Sequence, residues 1–349
     1  MNAGFKIGNR AIGLGGPCFV IAEIGVNHNG SIELAERMIS AAQRAGADAV
    51  KFQTFRADRL VVRDTPTAAY QKTNAGETNQ HQMLSALELD AEAHERLLKY
   101  CSAEGIIFLS SPFDRESIGL LDALDVPAFK VPSPDCVSTS YLTEMGRCGR
   151  PVILSTGMCT MEEVLTGITT LRNAGCNEIA VLHCTSCYPA PVDELHLRAI
   201  PLMQKATSLP IGYSDHSEGI EVVLAAVALG ACVIEKHFTL DRGLPGPDHR
   251  ASLEPDEFAA MVKGVRAVER SLGEARKEPQ PCEESSRRLG RRSLAAVRDM
   301  LPGERLTEDD IILLRPGTGL APSLESEMIG KRLKRPVSAL TLYSVDDFE

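Results

Sequence analysis

Two lysines, two histidines and a carboxylate fall on the last residues of short apolar runs. They are Lys51 in Ala47–Gln53, Lys130 after Ala128, His216 after Ile211–Tyr213, His237 after Cys232–Glu235, and Glu23 after Phe19–Ala22. Other runs stop on hydroxyls: Ser110-Ser111 and Ser155-Thr156, with Cys184-Thr185-Ser186 after His183. Burying an unpaired ammonium is costly, so a lysine inside an apolar strand demands an anion. The reading favoured here is a bound anion, with Ser155, Ser186 and Ser214 as extra donors; a salt bridge to a neighbour such as Glu23 is the alternative. Two imidazoles at matched heights on adjacent strands, ~4.8 Å apart, can share one cation; either can also be a packed core residue. Two protein ligands are too few for a closed zinc site but suit an open one for manganese, magnesium or cobalt, completed by water and substrate. Asp215 is a candidate to orient one ring. Glu23 is a candidate base, acid or water-orienting group, or charge balance for the lysines. Asp248, in Gly246-Pro247-Asp248-His249, suits sugar hydroxyls or the cap of a turn. Arg315 lies in a rigid turn, Arg315-Pro316-Gly317.

Such groups meet only if the elements carrying them converge. Eight short apolar runs alternate with helical patterns from Phe19 to Leu272, an order that predicts a closed α/β barrel of parallel strands rather than an open sheet. The carboxyl ends of all barrel strands ring one mouth, where active sites lie. No G-x-G-x-x-G follows the first run, which counts against a dinucleotide fold. The first helix is expected over Ile32 to Ala45, capped by Ser31, with Leu34, Met38 and Ile39 inward. The connection from Arg56 to about Asp90 is long enough to be a functional lid. A barrel domain over 1–272, a linker over 273–288 and a small β-rich domain over 289–349 account for the 349 residues. In the last, Arg292–Val297, Ile311–Arg315 and Leu333–Val337 are strand-like, and Leu301–Glu304 is a turn.

The net charge of −10 argues against a nucleic-acid partner but not against an anionic small substrate, because a few local lysines can dominate a pocket. No apolar run approaches the ~20 residues that cross a bilayer, and the amino terminus lacks a secretory pattern. The ten cysteines are scattered, as in chains that keep thiols reduced, so a cytoplasmic location without membrane association is expected. Cys184-Thr185-Ser186-Cys187 is formally C-x-x-C, but it ends a strand, where a redox pair would need a helix start.

Taken together, Ile21-Ala22-Glu23-Ile24-Gly25-Val26-Asn27-His28-Asn29-Gly30, Lys51-Phe52-Gln53-Thr54, Ser155-Thr156-Gly157-Met158, Gly212-Tyr213-Ser214-Asp215-His216 and Glu235-Lys236-His237-Phe238-Thr239-Leu240-Asp241 closely resemble the N-acetylneuraminate (sialic acid) synthase family. Gly246-Pro247-Asp248-His249 and Arg315-Pro316-Gly317 extend the resemblance into the tail, which looks like that family's antifreeze-like (SAF) domain. The resemblance implies a (β/α)8 TIM barrel followed by that domain. It also implies a transferase that condenses phosphoenolpyruvate with N-acetylmannosamine to give the nine-carbon 2-keto acid N-acetylneuraminate and phosphate. By motif, Lys51, Lys130, Ser133, Ser155, Ser186 and Ser214 hold phosphoenolpyruvate. His216 and His237 bind a divalent metal, manganese before magnesium or cobalt. Gln53, Tyr188, Asp248 and Arg315 contact the sugar, Arg315 from the neighbouring subunit of a domain-swapped homodimer. Glu23 and Asp135 handle protons and water. Two departures stand out. Some members carry Asn where this chain has Ser186, and the motif after Lys130 usually ends Ser-Gly-Glu where this chain reads Ser133-Pro134-Asp135. The nearest alternative is a legionaminic or, less well matched, a pseudaminic acid synthase taking a 2,4-diacetamido-6-deoxy hexose. More distant readings are a lysine Schiff-base aldolase of the pyruvate class and a non-enzymatic sugar-binding barrel.

Overall fold

The computed structural model describes residues 4–67, 74 and 78–349. The chain divides into two compact units, Met1–Gly273 and Glu274–Glu349. The first opens with an antiparallel hairpin, β1 (Phe5–Ile7) and β2 (Arg10–Ile12). Eight parallel strands follow: β3 (Phe19–Gly25), β4 (Ala49–Thr54), β5 (Ile107–Pro112), β6 (Phe129–Val131), β7 (Val152–Ser155), β8 (Ile179–Cys184), β9 (Ile211–Asp215) and β10 (Val233–His237). They pair in the order β5-β4-β3-β10-β9-β8-β7-β6, and β5 meets β6 at the seam, so the sheet curls into the expected barrel. Several strands run one or two residues past the ends read from the sequence. The polar residues there are thus part of the ladder: Ser155 pairs with Leu182, and Cys184 with Ser214.

Side chains alternate across each strand. Val20, Ala22 and Ile24 face the surrounding helices, where they join Met38, Ile39, Leu97, Phe258 and others in the larger core. Phe19, Ile21, Ala49, Leu109, Ile153, Leu182 and Val233 face the barrel axis. Phe5, Ile7 and Ile12 of the hairpin belong to this inner cluster, so the hairpin caps it with apolar surface. The first helix is Ile32–Arg44, with Ser31 Oγ accepting from the Leu34 amide. Met38 and Ile39 are buried as expected; Leu34 is only partly so, and Ala35, Ala41 and Ala42 complete the buried face. Part of the proposed lid, 68–73 and 75–77, lies outside the described residues. The described part of that connection carries two short helices, Ala57–Leu60 and Gln80–Ser85. Among the described residues, no helix is long and apolar enough to cross a membrane.

The stretch read as a linker carries a 3-10 turn at Pro281–Glu283 and a helix at Glu284–Gly290, all exposed. A capping arrangement at Gln280 and Glu283 starts the turn, a signal hidden by the charge-rich composition. In the second unit β11 (Ser293–Ala296) pairs antiparallel with β12 (Ile311–Leu314). The strand expected over Leu333–Val337 is reduced to single bridges, Met300 with Val337 and Leu333 with Phe348. Leu294, Met300, Leu306, Leu333, Tyr343 and Phe348 make a small core of their own.

Candidate active site

The two-residue period that fills the barrel with apolar side chains puts a polar layer above them. Continuing Phe19 and Ile21 inward gives Glu23; Ala49 gives Lys51 and Gln53; Ala128 gives Lys130; Ile153 gives Ser155; Val233 gives Glu235 and His237. Register levels these groups, since Glu23 lies opposite both Lys51 and His237, and Glu235 opposite Ser214. They line a cavity of about 630 Å³ at the carboxyl ends of the strands. The bulge after Glu23 turns on Gly25, at φ +56°, where a Cβ would lie 3.1 Å from Glu23 Oε1 and 3.2 Å from Gln53 Nε2. Only glycine adopts that conformation without strain.

The cavity floor is a buried ionic network. Lys51 Nζ lies 2.7 Å from Glu23 Oε2 and 3.8 Å from Glu235 Oε2, and donates to Ser111 Oγ at 3.2 Å. Lys130 Nζ donates to Ser155 Oγ at 2.7 Å and lies 3.4 Å from Glu235 Oε1, which also accepts from Ser214 Oγ at 2.9 Å. The salt bridge weighed against an anion site is thus present, and it is shared between two carboxylates. Burial is the largest influence on each group, but its outcome differs. It pushes the Glu23 carboxyl up to about 7 against the pull of Lys51, whereas at Glu235 it is outweighed by Lys130 and Lys51, which hold that carboxyl down at about 2. Glu235 is therefore a fixed charge, and Glu23 is poised to exchange a proton near neutrality. Burial lowers Lys130, while at Lys51 it is outweighed by Glu23 and Glu235. Asp248, also facing the cavity, is pushed up to about 6 by burial.

Over β6–β8 the lining becomes an array of small donors. Ser133 Oγ accepts from the Gly157 amide at 3.0 Å and contacts Cys184 Sγ at 3.1 Å. A Cβ on Gly157 would lie 2.3 Å from Ser186 Oγ and 2.9 Å from Ser133 Oγ, so the close approach of these hydroxyls requires glycine. The two histidines close the floor with ring centroids 5.5 Å apart, and Tyr188 lies 4.3 Å from the His216 ring. His216 Nδ1 meets the Thr185 carbonyl at 2.7 Å; as donor there it leaves Nε2 a bare lone pair. His237 Nδ1 is buried without a hydrogen-bond partner. Burial lowers both rings below the ordinary imidazole range, His237 strongly and with further help from His216. Two neutral imidazoles with free nitrogens fit a divalent ion. Among the described residues no group of three or more His, Cys, Asp or Glu side chains is placed to hold a metal. An ion here would therefore complete its shell with water or substrate.

Of the residues singled out from the sequence, Glu23, Lys51, Gln53, Lys130, Ser133, Ser155, Ser186, Tyr188, Ser214, His216, His237 and Asp248 line this one cavity. Asp135 does not. It sits in the 3-10 turn Ser133–Val137, where its carboxylate accepts from Ser138 Oγ at 2.8 Å, and burial raises its pKa. Arg315 belongs to the second unit and is exposed after β12. Asp215 does not orient a histidine: it faces outward, pairs with the buried Lys236 and accepts from Tyr213 Oη and Ser217. Glu235 and Ser111 had been given no role. Both were recoverable, since each lies two residues along the inward face from an assigned or apolar barrel position.

The model of the NeuB family matches residues 38–277, and that of the SAF domain residues 291–348. The chain belongs to the NeuB family. It is 46% identical over 329 residues to the N,N'-diacetyllegionaminic acid synthase of Legionella pneumophila, covering 93% of this chain and 92% of that one. It is 37% identical over 334 residues to the human N-acetylneuraminate-9-phosphate synthase, covering 93% and 90%. Among solved structures, an N-acetylneuraminic acid (sialic acid) synthetase from Leptospira borgpetersenii, in complex with citrate, superposes with a TM-score of 0.73 at 34% identity, over 82% of this chain and 95% of that one. The TIM-like barrel followed by a SAF domain is thus the architecture of this NeuB-family chain, as the motifs implied.

Proposed function

We propose that this chain condenses phosphoenolpyruvate with a 2,4-diacetamido-6-deoxy hexose, giving a nine-carbon 2-keto sugar acid of the legionaminic type and phosphate. The observation that carries the reaction class is the single cavity in which two buried lysines, a cluster of hydroxyls and two neutral imidazoles converge. The choice of sugar rests on the 46% identity to a diacetyllegionaminic acid synthase, against 37% to the human N-acetylneuraminate-9-phosphate synthase. The sugar implied by the motifs, N-acetylmannosamine, becomes the second reading.

Phosphoenolpyruvate carries a carboxylate and a phosphate, which account for Lys51 and Lys130 and for the hydroxyl donors Ser133, Ser155 and Ser186. Its C3 is a weak nucleophile, so the aldehyde of the open-chain sugar needs activation. His216 and His237 would hold a divalent ion, manganese being the first expectation, which supplies Lewis-acid polarisation of that carbonyl. Bond formation from C3 turns the aldehyde oxygen into an alkoxide, to which Glu23, protonated beside the bound trianion, is placed to give its proton, and it leaves positive charge at C2, which Glu235 and the now ionised Glu23 face. Water then adds at C2, and Glu23, near 7, is placed to take its proton. The tetrahedral intermediate expels phosphate by C–O cleavage, so no lysine Schiff base is needed. A panel of N-acetylmannosamine and the diacetamido sugar, each with phosphoenolpyruvate and manganese, checks the assignment. The diacetamido sugar should give the higher kcat/KM, and no 2-keto acid from either would refute the synthase reading.

Proton linkage gives an independent check. A trianion settling beside Lys51 raises the Glu23 pKa further, so binding takes up a proton where Glu23 was ionised. Sign follows: affinity for phosphoenolpyruvate is greatest below the free-protein value of about 7 and falls as pH rises above it. The limit is about tenfold per pH unit for one proton. Calorimetric titration above neutrality should show this slope in the native chain and its loss in Glu23→Gln. An equal slope in both would assign the proton elsewhere.

A further inference from the structure

The mouth of the barrel is divided into two chemically opposite halves. Over β6–β8 it presents the hydroxyls of Ser133, Ser155 and Ser186. Over β3–β5, above the polar floor of Glu23, Lys51, Gln53 and Ser111, it presents carbon: Val26 after β3, Phe113 after β5, and Met83, Leu84 and Leu87 from the helix Gln80–Ser85 and the turn that follows. Val26, Met83 and Leu87 are buried and join Phe55 in a hydrophobic cluster separate from both barrel cores, against which Leu84 and Phe113 pack. Phe55 and Phe113 meet edge-to-face at 6.2 Å, which stiffens the wall. His216, directly after β9, and His237, the last residue of β10, stand between the two halves.

An aldehyde held at the histidines, with phosphoenolpyruvate on the lysine floor and against the hydroxyls over β6–β8, leaves the rest of the sugar chain to run toward this wall. A hydroxyl packed against these side chains loses water and gains no partner from them, whereas a methyl group gains by burial. We propose that the Val26–Met83–Leu84–Leu87–Phe113 wall is the specificity element for the far end of the sugar. It accepts the C6 methyl, with the C4 acetamido methyl beside it, and disfavours a C6 hydroxymethyl. This inference rests on the synthase reading above and names the residues that would set its sugar preference. A hydrophobic pocket rejects an added hydroxyl by no more than about 10²-fold, so the preference is expected to lie between about tenfold and that limit.

The test begins on the native protein, with no substitution. N-acetylmannosamine and its 6-deoxy analogue differ only at C6, and the 6-deoxy sugar should show the higher kcat/KM by about tenfold or more. Equal values, or preference for the hydroxymethyl sugar, would overturn the inference while leaving phosphoenolpyruvate condensation intact. Leu84 is only partly buried, so Leu84→Gln is the gentlest change to the wall. It should shrink the 6-deoxy preference several-fold, and Leu84→Met should retain it. A Leu84→Gln chain with native thermal stability and an unchanged ratio would also count against the wall. Turnover of neither sugar, nor of the diacetamido hexose, by the native chain would instead sink the synthase reading itself.

Discussion

Replacing Lys130 by methionine is expected to abolish phosphoenolpyruvate turnover and to cost about 3–5 kcal/mol of folding stability. The ammonium is 3% exposed and lies 3.4 Å from Glu235 Oε1. Its removal leaves Glu235 with Ser214 and a more distant Lys51 at 3.8 Å, while Glu235 Oε2 already has no hydrogen-bond partner. The penalty is chiefly that of a buried carboxylate stripped of its nearest cation. Glu235→Gln in the same chain should therefore recover a large part of the stability but none of the activity. Denaturant melts of the two single variants and the double variant check this, and simple additivity of the two single costs would refute the shared network.

The second large effect concerns the histidines. His237→Ala removes one of two neutral imidazoles, the one whose Nδ1 is buried without a hydrogen-bond partner, and is expected to lower kcat by at least about 10²-fold. Manganese affinity, followed by paramagnetic resonance of the free ion, should weaken by at least about tenfold in the same variant. His216→Ala should behave alike. Native manganese affinity in either variant would remove the pair from the metal site.

Much of this centre was legible in the sequence because strands have a period of two. Once Ile153 is inward, Ser155 must be; once Val233 is inward, Glu235 and His237 must be. The same rule shows why Asp215 was misread. It is adjacent to His216 in sequence but continues the outward set of Ile211 and Tyr213, so it meets Lys236 on the far side of the sheet. Asp135 escaped the rule because it leaves β6 on a 3-10 turn, which directs its carboxylate to Ser138. The hairpin β1–β2 has three-residue strands, too short to show alternation. Met83, Leu84 and Leu87 have the spacing of an ordinary core helix, and only their place beside Val26 and Phe113 shows that they also line the cavity. The linker helix was masked by exposed charge, since no buried face marks it.

Phosphate release tests the central claim most directly, that lysine cradle and imidazole pair form one catalytic centre. Protein stripped with a chelator and given phosphoenolpyruvate with the diacetamido sugar should release no phosphate. Added manganese should restore release, one phosphate for each nine-carbon acid formed, and omitting the sugar should abolish it again. Full-speed release from the stripped protein, or release from phosphoenolpyruvate without sugar, would contradict the account.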